Sequence, residues 1–204
     1  ARRGDNADAE AELLCHGAWA QRVLGDYPSA LSLSAQGLRL SRERQLKHAQ
    51  ARCLNSAAGI ETVLGNYAQA LDGFNAALVI EEELHHVEHI SVLYNNIGFV
   101  HVALKHYNEA ISMLNRAGEM ARTLGDEVLL AYVLNNTAEA YLYKAEPAHA
   151  LPLLEQAFSI RERDGNPGTL AYNLHFLGVT FSALEKYPDA SARLHRALQL
   201  RRDI

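Results

Sequence analysis

Leu64-Gly65-Asn66-Tyr67-Ala68-Gln69-Ala70 decides the fold, because its frame recurs along the whole chain. Forty residues earlier stands Leu24-Gly25-Asp26-Tyr27-Pro28-Ser29-Ala30, and forty later Leu104-Lys105-His106-Tyr107-Asn108-Glu109-Ala110. Two further copies read Lys144-Ala145-Glu146-Pro147-Ala148-His149-Ala150 and Leu184-Glu185-Lys186-Tyr187-Pro188-Asp189-Ala190. Tyrosine holds the central position in all but one, where Pro147 replaces it, and alanine closes every copy. Two more columns keep the same register: Ala18, Ala58, Gly98, Ala138 and Gly178 are always small, and Gly37, Ala77, Ala117, Ala157 and Ala197 nearly all alanine. Self-similarity at such a period marks a stacked-repeat architecture.

Each copy reads as two helices. Leu71, Phe74 and Leu78 fall on one helical stripe, as do Ile111, Leu114 and Ala117. No copy sustains the period-two alternation of a strand. The turn inside a pair carries Gly-Asp, Gly-Asn or proline, and Gly125-Asp126 and Gly165-Asn166-Pro167-Gly168 punctuate two junctions between pairs. The junctions near Gln45 and His85 lack such breakers, so less clear turns are expected there. The small columns fit helix crossings where backbones approach closely. No single pair buries both its faces, so the copies must stack. The expected fold is all-α: a right-handed solenoid of five helix-turn-helix repeats, about ten helices, over residues 8–44, 47–84, 87–124, 127–164 and 168–204. Residues 1–7 are expected to form a flexible tail.

Composition narrows the function. The chain has 204 residues, 49% hydrophobic and 21% charged, which suits a packed soluble core. A net charge of −5 is not that of a protein built for a phosphate backbone. No apolar run reaches membrane-spanning length, and the N-terminus lacks a signal-peptide core. A cytoplasmic location, with neither nucleic acid nor membrane as partner, is expected. Cys15 and Cys53 are too few for a disulfide framework, fit a reducing compartment, and read as buried packing thiols.

The columns resemble the tetratricopeptide repeat. Tyr94-x2-Ile97-Gly98-x2-His101 followed by Ala110-x3-Leu114, and Leu54-x2-Ala57-Ala58-x2-Glu61 followed by Ala70-x3-Phe74, follow its order of positions. The tryptophan and the closing proline of that pattern are lost, and the period is six residues longer. The longer period is similar to that of kinesin-light-chain repeats and of bacterial regulatory proteins sharing it. The resemblance implies that the first helix of each pair lines a concave groove. Its columns would be Glu12, Arg52, Val92, Tyr132, Tyr172; then Cys15, Asn55, Asn95, Asn135, His175; then His16, Ser56, Asn96, Asn136, Phe176; then Trp19, Gly59, Phe99, Glu139, Val179. Helix propensity does not explain an asparagine ladder, whereas amides that donate and accept suit the main chain of an extended peptide. The expected peptide- or partner-binding set is Asn95, Asn135, Asn55, Tyr132, Tyr172, Phe99, Glu139 and His175. The family's carboxylate clamp needs Lys and Asn, then Lys and Arg, where this chain has Cys15 and Trp19, then Val92 and Asn96. A clamp for chaperone C-termini is therefore not expected.

Chemistry of other kinds has no motif. Phosphate loops, nucleophile elbows and Cys-x-x-Cys are missing from the sequence. His85 and His89, with Glu81 or Glu88, have zinc-compatible spacing but fall at a junction, where a solvated turn is expected and no metal or cofactor. Arg42-Glu43-Arg44 and Arg161-Glu162-Arg163 read as mixed-charge helix ends. The last copy stops at Ile204, leaving the stripe of Leu194, Leu198 and Leu200 without a covering neighbour. That end invites continuation of the natural chain, an intramolecular domain, or self-association. The expected function is a non-enzymatic interaction module of a larger regulatory protein. Alternatives are a sensory domain of a bacterial signalling enzyme, such as a diguanylate cyclase, or of a transcription activator, and a quorum-peptide receptor.

Overall fold

The computed structural model describes the backbone of residues 2–204 and the side chains of residues 9–204. The flexible tail expected over residues 1–7 lies outside the described side chains. Ten helices follow one another: α1 Arg2–Val23, α2 Tyr27–Glu43, α3 Lys47–Val63, α4 Tyr67–Leu84, α5 Val87–Ala103, α6 Tyr107–Leu124, α7 Glu127–Tyr143, α8 Pro147–Asp164, α9 Pro167–Ala183 and α10 Tyr187–Arg202. Among the described residues there is no strand. The fold class is the all-α helical-repeat solenoid that the columns imply.

The period has a backbone origin. Positive φ occurs at residues 25, 45, 65, 85, 105, 125, 145, 165 and 185, one every twenty residues. Each ends a helix and reverses the chain. Four are glycines, which adopt this region freely; at the others a side chain costs about 1–2 kcal/mol. The junctions at Gln45 (φ 57°) and His85 (φ 56°) close as sharply as the glycine turns, contrary to expectation. Their closure comes from backbone bonding rather than residue type. Leu46 N donates to Ser41 O at 2.8 Å and His86 N to Glu81 O at 3.1 Å, the spacing of a Schellman cap. Side chains add N-caps: Asp26 accepts from Ser29 N (3.1 Å), Asp126 from Leu129 N (2.9 Å), and Asn166 from Gly168 N and Thr169 N.

The helices gather into two compact units, residues 1–100 and 101–204. In the first, α1 packs on α2 and α3 on α4, and α1 also lies against α3. In the second, α7 packs on α8, α9 on α10, and α7 against α9. Within each unit the first helices of successive pairs are thus neighbours, and residues near forty apart in sequence meet. The small columns lie at the crossings. Ala30, Ala70, Ala110 and Ala150 are fully buried, as are Ala18, Ala138, Ala77, Ala117 and Ala157. A Cβ added to Gly178 of α9 would lie 2.5 Å from Leu194 Cγ and 3.3 Å from Ala190 O of α10. Around that crossing Ala138, Ala150, Leu154, Leu177, Phe181 and Ala190 form a continuous core. At the end of α10, Leu194 and Leu198 are exposed.

One sequence expectation is corrected. Cys15 and Cys53 are buried but not free: a disulfide joins α1 to α3 across a Cα–Cα distance of 5.1 Å. Cysteine usage therefore no longer argues for a reducing compartment. Arg161 stands in the last turn of α8, the basic helix end the sequence implies, and it is 1% exposed, because its position on α8 faces the α7 side of the stack.

Ala110→Leu and Ala150→Leu must each insert three carbons at a fully buried position. Thermal or urea denaturation is expected to show a loss of ~1–3 kcal/mol for each, and parent-like melting would contradict the packing described.

Candidate functional site

In the first unit, α1, α3 and α5 border an open cleft of about 490 Å³. Trp19 of α1 and Phe99 of α5 stand on its walls, 57% and 38% exposed, an unusual placement for large aromatic side chains. Between them runs a row of amides. Asn95 Nδ2 donates to Asn96 Oδ1 (3.3 Å), and Asn96 Nδ2 donates to Asn55 Oδ1 (3.0 Å). Ser56 Oγ donates to the Cys15 carbonyl at 3.1 Å, which ties α3 to α1 beside the cleft. Gly59 lines the same cleft, and a Cβ placed there would meet nothing within 4 Å. The space over α3 is thus open because a side chain is missing from it. Arg22 supplies a cation at the edge.

The second unit carries a different chemistry. Tyr132 is exposed, and the Arg161 guanidinium lies 4.0 Å from its ring centroid, a cation–π contact. Arg161 Nε and Nη2 have no hydrogen-bond partner among the described residues. Burial, the larger effect, lowers the Arg161 pKa from its usual range, against the opposing influence of Tyr132 and Asp164. Tyr172 OH donates to Glu139 Oε2 at 3.1 Å, and its ring meets Phe176 edge-on at 4.9 Å. His175 also meets Phe176 edge-on, at 5.4 Å. Burial holds the Glu139 carboxyl above the usual carboxylate range, opposed by the bonds it accepts from Tyr172 and Tyr143. Burial and the Glu139 charge together push the Tyr172 phenol far above its ordinary value, so it stays a neutral donor.

The expected binding residues therefore divide. Asn55 and Phe99 line the cleft of the first unit, and half-buried Asn95 supports its amide row. Tyr132, Tyr172, Glu139 and His175 belong to the surface of the second unit. Asn135 takes another role: it is 2% exposed, donates to Ala131 O at 3.0 Å, and accepts from Asn173 Nδ2 at 2.9 Å. Its amide is spent inside the stack. Asn173, wholly buried and also bonded to Leu154 O at 3.1 Å, carried no sequence signal, since its column otherwise holds Leu13, Cys53, Leu93 and Val133.

The junction histidines are not merely a solvated turn. Glu81, 1% exposed near the end of α4, accepts from His48 Nδ1 at 3.0 Å and from His86 Nδ1 at 2.8 Å. His85, the residue picked out by spacing, is the exposed left-handed cap. His48 escapes a local motif search because it lies 33 residues before Glu81.

Among the described residues no helix is long and apolar enough to cross a membrane. The tetratricopeptide repeat profile matches residues 49–123 and 89–163, together more than half of the chain. Solved structures agree in fold. BtubC (BKLC) from P. vanneervenii is 21% identical, with a TM-score of 0.76 over 99% of this chain and 91% of that one. A putative kinesin light chain from Podospora anserina with nearly identical repeats is 15% identical, with a TM-score of 0.72 over 95% of this chain and 96% of that one. Aspartyl phosphate phosphatase F from Bacillus subtilis is 13% identical, with a TM-score of 0.74 over 95% of this chain and 60% of that one. No curated protein matches the chain in sequence.

The raised Glu139 pKa fixes a pH dependence. Its folded-state value lies above the unfolded one, so the proton is held more tightly when folded. The stability this gives is complete below the unfolded value and is lost as pH rises through the folded one. Glu139→Gln removes that loss. Melting measured from pH 4 to pH 7 is expected to show the variant gaining on the parent as pH rises; a constant difference would contradict the assignment.

Proposed function

The chain belongs to the tetratricopeptide repeat family, and we propose that it is a non-enzymatic interaction module that holds an extended peptide segment of a partner protein. The observation that carries this reading is the cleft of the first unit: two exposed aromatic walls, an amide row and an open space over Gly59. Trp19 and Phe99 supply apolar contact at small conformational-entropy loss. Asn55 and Asn96 supply main-chain hydrogen bonds that do not depend on the peptide's sequence. Among the described residues the Asn55 Nδ2 donors have no protein acceptor, which leaves them for a ligand carbonyl. Asn95 orients Asn96, and Asn135 is left out of the contact set. Tyr132, Tyr172, Glu139 and His175 offer the second unit's own contact surface, in which Tyr172 donates and Glu139 accepts. We place the module in a larger regulatory protein. The fold shared with a kinesin light chain and with an aspartyl phosphate phosphatase is compatible with that setting.

The test begins with a random peptide library panned against the chain, and affinities for selected peptides by fluorescence anisotropy. Gly59→Trp fills the cleft from a position with no neighbouring atom, so folding is spared while binding is expected to fall at least ~10-fold, the equivalent of about 1.4 kcal/mol. Asn55→Ala with Asn96→Ala removes two hydrogen bonds of ~0.5–1.5 kcal/mol each, roughly a 5- to 150-fold loss. Peptides that bind all variants equally would contradict the cleft as the binding site.

A further inference from the structure

We propose that His48, Glu81 and His86 form a binding site for a divalent transition-metal cation, zinc in the first instance, that pins the starts of α3 and α5 to the end of α4. One donor atom from each of these residues already lies within 4.8 Å of the others. Two donor pairs are much closer: His48 Nδ1 to Glu81 Oε1 is 3.0 Å and His86 Nδ1 to Glu81 Oε2 is 2.8 Å. A tetrahedral zinc shell with bonds of ~2.0–2.2 Å sets neighbouring donors about 3.3 Å apart. Rotamer-scale movement reaches that spacing from the observed positions. Each imidazole would bind through unprotonated Nδ1, with its proton on Nε2, and Glu81 would bind as the carboxylate. Two imidazoles and a carboxylate are a donor set that suits zinc better than magnesium or calcium.

The surroundings add two points. His89, on the first turn of α5, is a third imidazole in the same group, its ring centroid 4.7 Å from that of His48 and 6.0 Å from that of His86. Beside it a cavity of about 30 Å³ is lined by Glu81, His89, Asn55 and Arg52, room for a single water. Either His89 or that water can complete a fourth position. The Arg52 charge, which would oppose a cation, is paired with Glu12 at 3.5 Å. His48 and His86 side chains are 29% and 40% exposed, so an ion can enter.

The repeat supplies an internal comparison. At the position of Glu81 the other copies have Ser41, Ala121, Arg161 and Arg201; at that of His89 they have Ala9, Ala49, Leu129 and Thr169. Stacking in this fold thus needs neither a carboxylate nor an imidazole at these places. Buried Ser41 and Ala121 fill the Glu81 position without a charge. A buried carboxylate is expensive to desolvate, and two partly exposed imidazoles are the partners given to it here. Among the described residues one junction alone gathers three such metal-binding side chains, from segments 33 residues apart.

The experiment is a zinc titration of the chain without a histidine tag, by competition with a chromophoric chelator, with cobalt(II) absorption as a second readout. Wild type is expected to take up one zinc per chain, to melt at higher temperature with zinc, and to give the intense visible bands of four-coordinate cobalt. His48→Gln and His86→Gln, on partly exposed side chains, are expected to weaken zinc binding at least ~10-fold. His85→Gln, next to His86 in the chain but exposed and outside the cluster, is expected to bind as wild type does. Circular dichroism checks that each variant is folded. No saturable uptake by wild type overturns the proposal, whatever the variants do. Uptake that the folded His48 and His86 variants retain overturns it as well, by placing the ion on other histidines.

Discussion

The close approach of helices at alanine and glycine is the constraint on which the structure depends. Ala30, Ala70, Ala110 and Ala150 are fully buried, and a methyl group added at Gly178 would meet α10 within 2.5 Å. Helices this close can pair only if the chain reverses sharply between them. A left-handed residue every twenty positions provides the reversal, even where glycine is absent and the conformation costs energy. Once both conditions hold, neighbouring first helices inherit a fixed offset, and side chains far apart in sequence meet at recurrent separations.

Those recurrent separations explain contacts that otherwise look unrelated. Cys15 and Cys53 are 38 residues apart, as are Asn135 and Asn173, and the two pairs occupy equivalent positions in their units. The same place in the fold is closed by a disulfide in one unit and by an amide hydrogen bond in the other. Ser56 to Cys15 and Asn96 to Asn55 share a separation of 41 and again match in position. Lys47 with Glu83 and Glu127 with Arg163 are one exposed ion pair with its charges exchanged, each worth at most ~1 kcal/mol. The geometry belongs to the repeat, and the chemistry at each contact belongs to the individual copy. That freedom lets one cleft become an amide row and one junction a cluster of histidines.

The sequence made the fold legible because small residues and turn residues repeat in register, and register survives changes in everything else. The columns also led to Asn55 and Phe99, which line the cleft, and to the bonded pair Tyr172 and Glu139. They could not separate an exposed amide from a buried one. Asn95 and Asn135 share a column, yet Asn135 is turned to internal use by Asn173, a polar residue in an otherwise apolar column. The cysteines misled for the opposite reason: they sit in different columns, and the offset of 38 that joins them appears only when helices are placed side by side. Arg161 and Glu81 stand at equivalent positions near helix ends, where charge suggests solvent, whereas that position is buried in most copies. Local spacing found Glu81 and His89 together with the exposed His85; His48 was hidden by sequence distance.

The central claim is that a partner segment lies in the cleft over Gly59. A photo-crosslinking side chain at position 59 tests it directly, because no protein atom crowds that point. The account predicts efficient cross-linking of a selected peptide from position 59 and none from exposed Gln36 on α2. Cross-linking from Gln36 with none from position 59 would contradict it and move the interface to the second helices.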